Sequence, residues 1–448
     1  MEHTLDLTTT WVGVVCLMLF VVTYGFVIAE EKIHMLKSKP AVFGGYLMWL
    51  PIGFVYFQHG NTDVVKHAIE HDFQEFVSIF LFLISAMTYV NAMIERNVFE
   101  ALRSRLVRAG LSLRAMFWIT GLIAFCLSPV ADNLTTALIM GAVVSAVGRD
   151  NRKFITIGCI SVVVAANAGG AFSPFGDITT LMVYQAGKLA FTDFFQLFPA
   201  AVSNWLLPAL IMSFAIPKST GSEKTGEDLV LMKKGARVII SLFVGTIIST
   251  ITFKYLFSFP PAFTMMAGLS FLWLYGYRLE YKHQINWVML PKFIREPLDP
   301  GDDYDTFKNV KDAEWDTLFF FYGIIMCVGA LKIIGHLALL SDWSYGGFGY
   351  TVSNIGAGLL SAIIDNIPVM LAILGMELDM SDGQWLLVTL TTGTGGSMLS
   401  IGSAAGVALM GLARGYYTFT SHLRWSLVIG LGYIASVYIH IWFNSSLF

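Results

Sequence analysis

Apolar residues run through this chain in long blocks: Trp11 to Ala29, Phe76 to Met93, Phe194 to Ile216, Val238 to Phe253 and Trp425 to Phe443. A helix needs ~20 such residues to cross the hydrocarbon of a bilayer, so the pattern predicts an all-α polytopic membrane protein. Between positions 114 and 147 it changes. Two apolar stretches of only ~15 residues, short for two crossings, meet at Ala131-Asp132-Asn133. The spacing predicts a re-entrant hairpin whose tip stops at membrane depth, where protein or water must cover the open backbone. Positions 345–376 repeat the design around Asp365-Asn366.

Composition agrees with a membrane chain. The 448 residues are 56% hydrophobic and 13% charged, against roughly 45–50% apolar usage in soluble domains. The net charge of -3 and the lack of a basic block with interleaved aromatics predict no nucleic-acid partner. Cys16, Cys126, Cys159 and Cys327 lie inside apolar runs without CxxC spacing, which suggests neither a zinc site nor a disulfide framework. The acidic start, without a basic n-region, predicts a first helix that is retained rather than a cleaved signal peptide.

Lys and Arg gather in segments 32–39, 96–114, 149–153, 218–237, 278–311 and 414–424, with Lys66, Lys188, Lys254 and Lys332 elsewhere. The positive-inside rule makes those segments cytoplasmic and turns the connections near 57–72, 340–348 and 376–384 outward. The N-terminus is then outside, and the two hairpins enter from opposite faces.

Ser128-Pro-Val-Ala-Asp132-Asn133 and Ser361-Ala-Ile-Ile-Asp365-Asn366 share Ser-x-x-x-Asp-Asn, and one ungapped register also lays Asn167-Ala-Gly-Gly170 on Ser400-Ile-Gly-Ser403. Helix breakers and hydroxyls crowd both 167–180 and 391–403. Each reads as a transmembrane helix unwound at mid-membrane. The expected organisation is an N-terminal repeat over 1–216 with hairpin 114–147 and broken helix 154–188. An inter-repeat loop over 217–236 leads to a C-terminal repeat of inverted topology over 237–448, with hairpin 345–376 and broken helix 385–413. A single Gly-rich stretch would suit close helix packing; matched interrupted helices beside carboxylates mark a transporter's substrate site.

Asp132, Asp177 and Asp365 stand in apolar surroundings, where an ionised carboxylate costs ~2.5–3.5 kcal/mol without a partner or cation. Around them Ser128, Asn133, Thr135, Thr136, Asn167, Thr179, Thr180, Ser361, Asn366, Ser400 and Ser403 offer hydroxyl and amide oxygens. Hard oxygen donors suit sodium or lithium, and no Cys or His joins the cluster to hold a transition metal. A proton and a small cation neutralise the same carboxylate and so compete for it. A site that must hold one or the other before changing its facing couples cation movement one way to proton movement the other.

These motifs, with Ala29-Glu-Glu-Lys-Ile-His34 and Leu81-Phe-Leu-Ile-Ser-Ala-Met-Thr88-Tyr-Val-Asn91-Ala-Met, resemble the NhaD-type sodium/proton antiporters over nearly the whole chain. That family sits in a superfamily that also holds sodium/dicarboxylate symporters and arsenite permeases. The resemblance implies exchange of sodium or lithium for protons in sodium, salt and pH homeostasis. It further implies an elevator-like protein with scaffold and transport regions, a homodimer, a bacterial inner-membrane location and no cofactor. It ties Ser128, Asp132, Asn133, Asn167, Asp177, Thr179, Thr180, Ser361, Asn366, Ser400 and Ser403 to cation transport, and Asp365 follows by the internal repeat.

The alternative is a sodium-coupled, dicarboxylate-like anion symporter or an anion permease of the same superfamily. The dicarboxylate branch carries Ser-Asn-Thr at its hairpin tips, where this chain has Asp132-Asn133-Leu134-Thr135 and Asp365-Asn366-Ile367-Pro368. Acidic tips would repel an anion, and the expected intramembrane bases, Lys188, Lys254 and Lys332, lie in neither hairpin nor break. Gly176-Asp177 and Gly395-Gly-Ser397 suggest intramembrane hydrolysis, but no His serves Ser397 and no second acid partners Asp177 in the required motif, so no enzyme is expected. His59, His67 and His71, among Asp63, Glu70 and Asp72, read as a solvated amphipathic stretch in which His71 is the candidate pH sensor. Glu30-Glu31 reads as an interfacial pair.

Overall fold

The computed structural model describes residues 5–148, 151–217, 229–289 and 304–448, and only the backbone of 31, 32, 282–289 and 306. Arg149, Lys218, Lys224, Lys292, Arg295 and most of the 217–236 connection lie outside the described residues, as do the side chains of Glu31, Lys32 and Lys282.

Helices dominate, and no strand occurs among the described residues. In chain order they are α1 (Trp11–Ile28), α2 (Glu30–Ile33), α3 (Ser38–Gln58), α4 (Thr62–Glu95), α5 (Val98–Arg108), α6 (Leu113–Ala131), α7 (Asn133–Gly148), α8 (Arg152–Gly170), α9 (Ile178–Gln185) and α10 (Phe198–Ser213). There follow α11 (Ala236–Phe257), α12 (Pro261–Met289), α13 (Thr306–Lys311), α14 (Trp315–Ile334), α15 (His336–Ser341), α16 (Gly347–Ser361), α17 (Asn366–Gly375), α18 (Asp382–Gly395), α19 (Ala404–Leu412), α20 (Phe419–Leu423) and α21 (Ser426–Phe443). Among the described residues nine helical stretches are long and apolar enough to cross a bilayer. The chain is therefore a multi-pass, all-helical membrane protein. By contrast α17, at 1.5 Å per residue, is about 15 Å long, half the hydrocarbon thickness.

Local chemistry starts and stops these helices. Thr10, Ser112, Asn151 and Ser381 N-cap α1, α6, α8 and α18, each side-chain oxygen accepting an N–H of the first turn, which answers donors a helix start leaves orphaned. Gly335, at φ +104°, ends α14 in a left-handed conformation that costs glycine little.

Packing divides the chain into two units. The larger comprises Met1–Phe73, Leu106–Glu227 and Phe319–Phe448. At its centre lie α8, buried almost throughout from Phe154 to Gly170, and α18, buried from Gly383 to Gly395. α6 and α7 pack on α8, while α16 and α17 pack on α18. The partners also cross over: α7 lies against α19, and α17 against α9. α10 and α21 pack on each other, with Gly432 against the Asn204 carbonyl and the Pro208 ring. A second layer of the same unit sets α3 against α1 and α14, with Trp49 Nε1 donating to the Met326 carbonyl at 3.0 Å.

The smaller unit, Gln74–Arg105 and Asp228–Leu318, packs α11 on α12. Tyr89 of the Thr88-Tyr-Val-Asn91 motif belongs to its core: its hydroxyl donates to the Gly268 carbonyl at 2.6 Å and its ring stacks on Phe243. Asn91 Nδ2 donates to the Asn309 carbonyl at 3.0 Å, and Asn309 Nδ2 to Glu95 at 2.7 Å. These motif residues are thus tied into the local packing by ring stacking and hydrogen bonds.

Candidate functional site

Two breaks in otherwise continuous helices create the site. Between α8 and α9 the chain unwinds over 171–177, and between α18 and α19 a single 3-10 turn, Gly396–Met398, gives way to a turn over 399–403 in which the Gly402 N–H donates to the Leu399 carbonyl at 3.2 Å. Each break ends on an N-capping side chain. Asp177 caps α9 and accepts from the Thr179 N–H at 3.1 Å, and Ser403 caps α19, accepting from the Gly406 N–H at 3.3 Å. The breaks survive in the interior because their backbone groups find partners. The Ser397 carbonyl accepts from the buried His422 ring at 2.9 Å, and the Met398 carbonyl from the Ser426 hydroxyl at 2.6 Å.

Asp177, 4% exposed, is the hub. Asn366 Nδ2 donates to both its carboxylate oxygens at 3.3 Å, and Asn133 Nδ2 reaches Asp177 Oδ2 at 3.5 Å and Asn167 Oδ1 at 3.2 Å. The asparagines of both Asp-Asn dipeptides thus meet on one carboxylate. Asn167 extends the network to the second break, donating to the Ser397 hydroxyl at 2.8 Å and to that of Ser403 at 3.0 Å. Gly393 lets α18 come this close, since a Cβ there would stand 3.3 Å from Asp177 Oδ2. Buried hydroxyl oxygens of Thr136, Thr180 and Ser400 have no hydrogen-bond partner among the described residues. Buried polar oxygens of this kind cost free energy unless something coordinates them.

The remaining predicted residues serve other parts of the arrangement. Ser128 and Ser361 are staples: their hydroxyls donate to the Ala166 carbonyl at 2.6 Å and the Thr392 carbonyl at 2.7 Å, tying α6 to α8 and α16 to α18. Asp132 caps α7, accepting from the Thr135 N–H and hydroxyl, both at 2.8 Å. Asp365 instead pairs with Lys37 Nζ at 3.2 Å. The sequence put no base near a hairpin, and the fold brings this one to the Asp365 turn from 328 positions away. Sequence reasoning weighed Ser397 only as a hydrolase serine and missed His422, because both act through tertiary contacts that no local motif announces. His71 is exposed, 3.6 Å from Asp72, whose carboxylate packs against Gly329 of α14. Among the described residues no group of three or more His, Cys, Asp and Glu is placed to hold a metal ion.

The arrangement is one buried acid that accepts hydrogen bonds from two asparagine amides and the Thr179 N–H, without thiol or imidazole beside it among these contacts. A carboxylate is a hard oxygen ligand of the kind small hard cations take. Comparison with known proteins gives the same direction. The citrate transporter family model matches residues 4–393. The Na(+)/H(+) antiporter NhaD of Alkalimonas amylolytica is 50% identical over 99% of this chain and 93% of that relative. The Na(+)/H(+) antiporter NhaD of Vibrio cholerae is 48% identical over 99% and 94%. The sodium/proton antiporter 1 of Arabidopsis thaliana is more distant, 27% identical over 89% of this chain and 67% of its own. The chain belongs to the citrate transporter family by its family model and to the NhaD group of antiporters by its near-half identity with those relatives.

Proposed function

We propose that this protein exchanges sodium, or lithium, for protons across a membrane, with the Asp177 carboxylate as the group that cation and proton hold in turn. The observation that carries the reading is the convergence of Asn133 and Asn366 on the buried Asp177 carboxylate, with Asn167 linking Asn133 to the second break. A buried carboxylate is stable with either a proton or a cation upon it, and a carrier that reorients only when so neutralised exchanges one for the other. The names of its near-half-identical relatives accord with this activity. The citrate of the family's description fits the site poorly, since the hub is itself an anion and Lys37 is matched by Asp365.

The same reading takes α6–α7 and α16–α17 as re-entrant hairpins of two inverted repeats. Paired contacts support it. Ser128 reaches Ala166 as Ser361 reaches Thr392. Gly169 lies against the Phe125 carbonyl as Gly395 lies against that of Gly358, and Gly176 meets Ser128 as Gly402 meets Ala362. Gly44 faces Thr23 as Gly268 faces Thr246. On this pairing Asn167 corresponds to Gly393 and Asp177 to Ser403, seven residues from the ungapped register suggested by sequence. The proposal includes an elevator-like movement of the hairpins and broken helices, a homodimer in a bacterial inner membrane, and an N-terminus outside.

The test is Asp177→Asn in everted vesicles carrying a pH gradient. Sodium and lithium dissipate the gradient through the wild type, and the variant loses at least ~100-fold in rate, as loss of an essential charged group does. Exchange at the wild-type rate rejects the assignment, and dissipation by citrate or succinate instead of sodium rejects the function.

A further inference from the structure

We infer that Lys37 is a tethered counter-cation that occupies Asp365, holding the tip of the α16–α17 pair so that Asn366 meets Asp177. Asp365 stands at the N-cap position of α17, yet its side chain makes no capping hydrogen bond. It turns instead to Lys37 Nζ, 3.2 Å away, with side-chain exposures of 17% for the lysine and 18% for the aspartate. A mostly buried ion pair is far from water's screening, and removing one partner strands the other charge.

The ammonium sits on a rigid platform. It lies over the ring of fully buried Phe320, 4.5 Å from the centroid, a favourable cation-π position. The Lys37 N–H donates to Glu30 at 3.3 Å, fixing the backbone before α3. α3 is locked in turn to α14: Gly323 packs against the Ala41 and Val42 backbone, and Cys327 Sγ approaches the Ala41 carbonyl. An ammonium carries the charge of one sodium ion and donates like a proton carrier, so it satisfies Asp365 with a group that cannot leave. One residue further, Asn366 donates to both Asp177 oxygens. The chain of contacts therefore runs from platform to lysine to hairpin tip to hub, and Lys37 is a positioning residue.

The inference rests on the site assignment above, so its test has two readouts, one independent of transport. The first is a melting cycle on purified full-length protein with Lys37→Gln, Asp365→Asn, the double variant and Lys37→Arg. Each neutral single variant melts several degrees below wild type, the double regains most of the loss because the two charges are removed together, and Lys37→Arg melts close to wild type. The second is sodium-driven exchange in vesicles. Lys37→Gln raises the half-saturating sodium concentration ~tenfold, the cost of loosening one charge-assisted hydrogen bond, and Lys37→Arg restores it. Single variants that melt as wild type, or a double that melts at the sum of their losses, overturn the pairing. An unchanged half-saturation with a lower maximal rate overturns the positioning role. Should the neutral singles not accumulate, K37D/D365K decides: a swapped pair that accumulates supports the inference, and one that does not rejects it. A protein without sodium exchange leaves the melting cycle intact, so the two failures are distinct.

Discussion

The two Asp-Asn turns use one dipeptide in two ways. At the first, Asp132 adopts φ 56° and ψ 164°, a region glycine favours and other residues enter at a cost of about 1–3 kcal/mol. Its carboxylate turns inward along its own helix and caps α7 through Thr135. At the second, Asp365 keeps a negative φ, at φ -43° and ψ 141°, makes no side-chain capping bond to its helix, and takes Lys37 as partner. Only the asparagines do the same thing on both sides, since Asn133 and Asn366 both donate to Asp177. The shared element of the motif is thus the amide that reaches the hub, and the acids are what differentiate the two tips.

The sharpest way to break this comparison is to neutralise each acid. Asp365→Asn removes the carboxylate that pairs with a mostly buried ammonium and is expected to lower stability by about 3 kcal/mol. Asp132→Asn keeps an amide oxygen where the cap needs an acceptor and is expected to lose less than ~1 kcal/mol. Denaturation of purified protein in detergent compares the two. Equal losses would mean that the tips are energetically alike and that the Lys37 contact adds little.

A smaller effect separates the asparagines. Asn366 donates to both Asp177 oxygens at 3.3 Å, whereas Asn133 reaches one at 3.5 Å and is shared with Asn167. Asn366→Ala is therefore expected to raise the half-saturating sodium concentration ~tenfold, the worth of about one hydrogen bond to a charged group. Asn133→Ala is expected to raise it less. Initial exchange rates against sodium concentration measure both, and the reverse order would make the first turn the dominant contact.

The transmembrane helices, the two Asp-Asn turns and the Gly- and hydroxyl-rich breaks were legible in the sequence because each is a local pattern with a physical reason. What one chain could not display was which acid becomes the hub. Asp132, Asp177 and Asp365 look alike in apolar surroundings, and Asp177 is singled out only when asparagines 44 and 189 residues away arrive. The proposed repeat gives a second instance. The sequence suggests an ungapped register joining Asn167 to Ser400, whereas the repeat proposed above joins Asn167 to Gly393. α17 has 10 residues against 16 in α7, a length difference that an ungapped register cannot allow for. Lys37 was illegible for a simpler reason: it reads as one more cytoplasmic base until the fold closes it on Asp365.

The mildest prediction concerns the far end of the second helix pair, where α17 gives way to Glu377 and Lys332 Nζ lies 2.6 Å from its carboxylate. The Lys332 hydrogen bond holds the Glu377 carboxyl below its ordinary value of 4.5. A depressed carboxylate contributes stability above its unfolded pKa and loses it as pH falls through the folded one, so the contribution is complete at neutral and alkaline pH and fades only in acid. The glutamate side chain is 72% exposed, and pairs so exposed are screened by water and salt to under ~1 kcal/mol. Glu377→Gln should therefore lower the melting temperature slightly at pH 7 to 9, by an amount that does not change across that range, and the difference should shrink as pH falls below the ordinary glutamate value of 4.5. Its exchange profile against pH in the alkaline range should overlay that of the wild type. An alkaline shift in that profile would mean that this outer pair, unlike the Lys37 pair at the tip, gates the exchanger, and would move the control point from the hairpin's tip to its root.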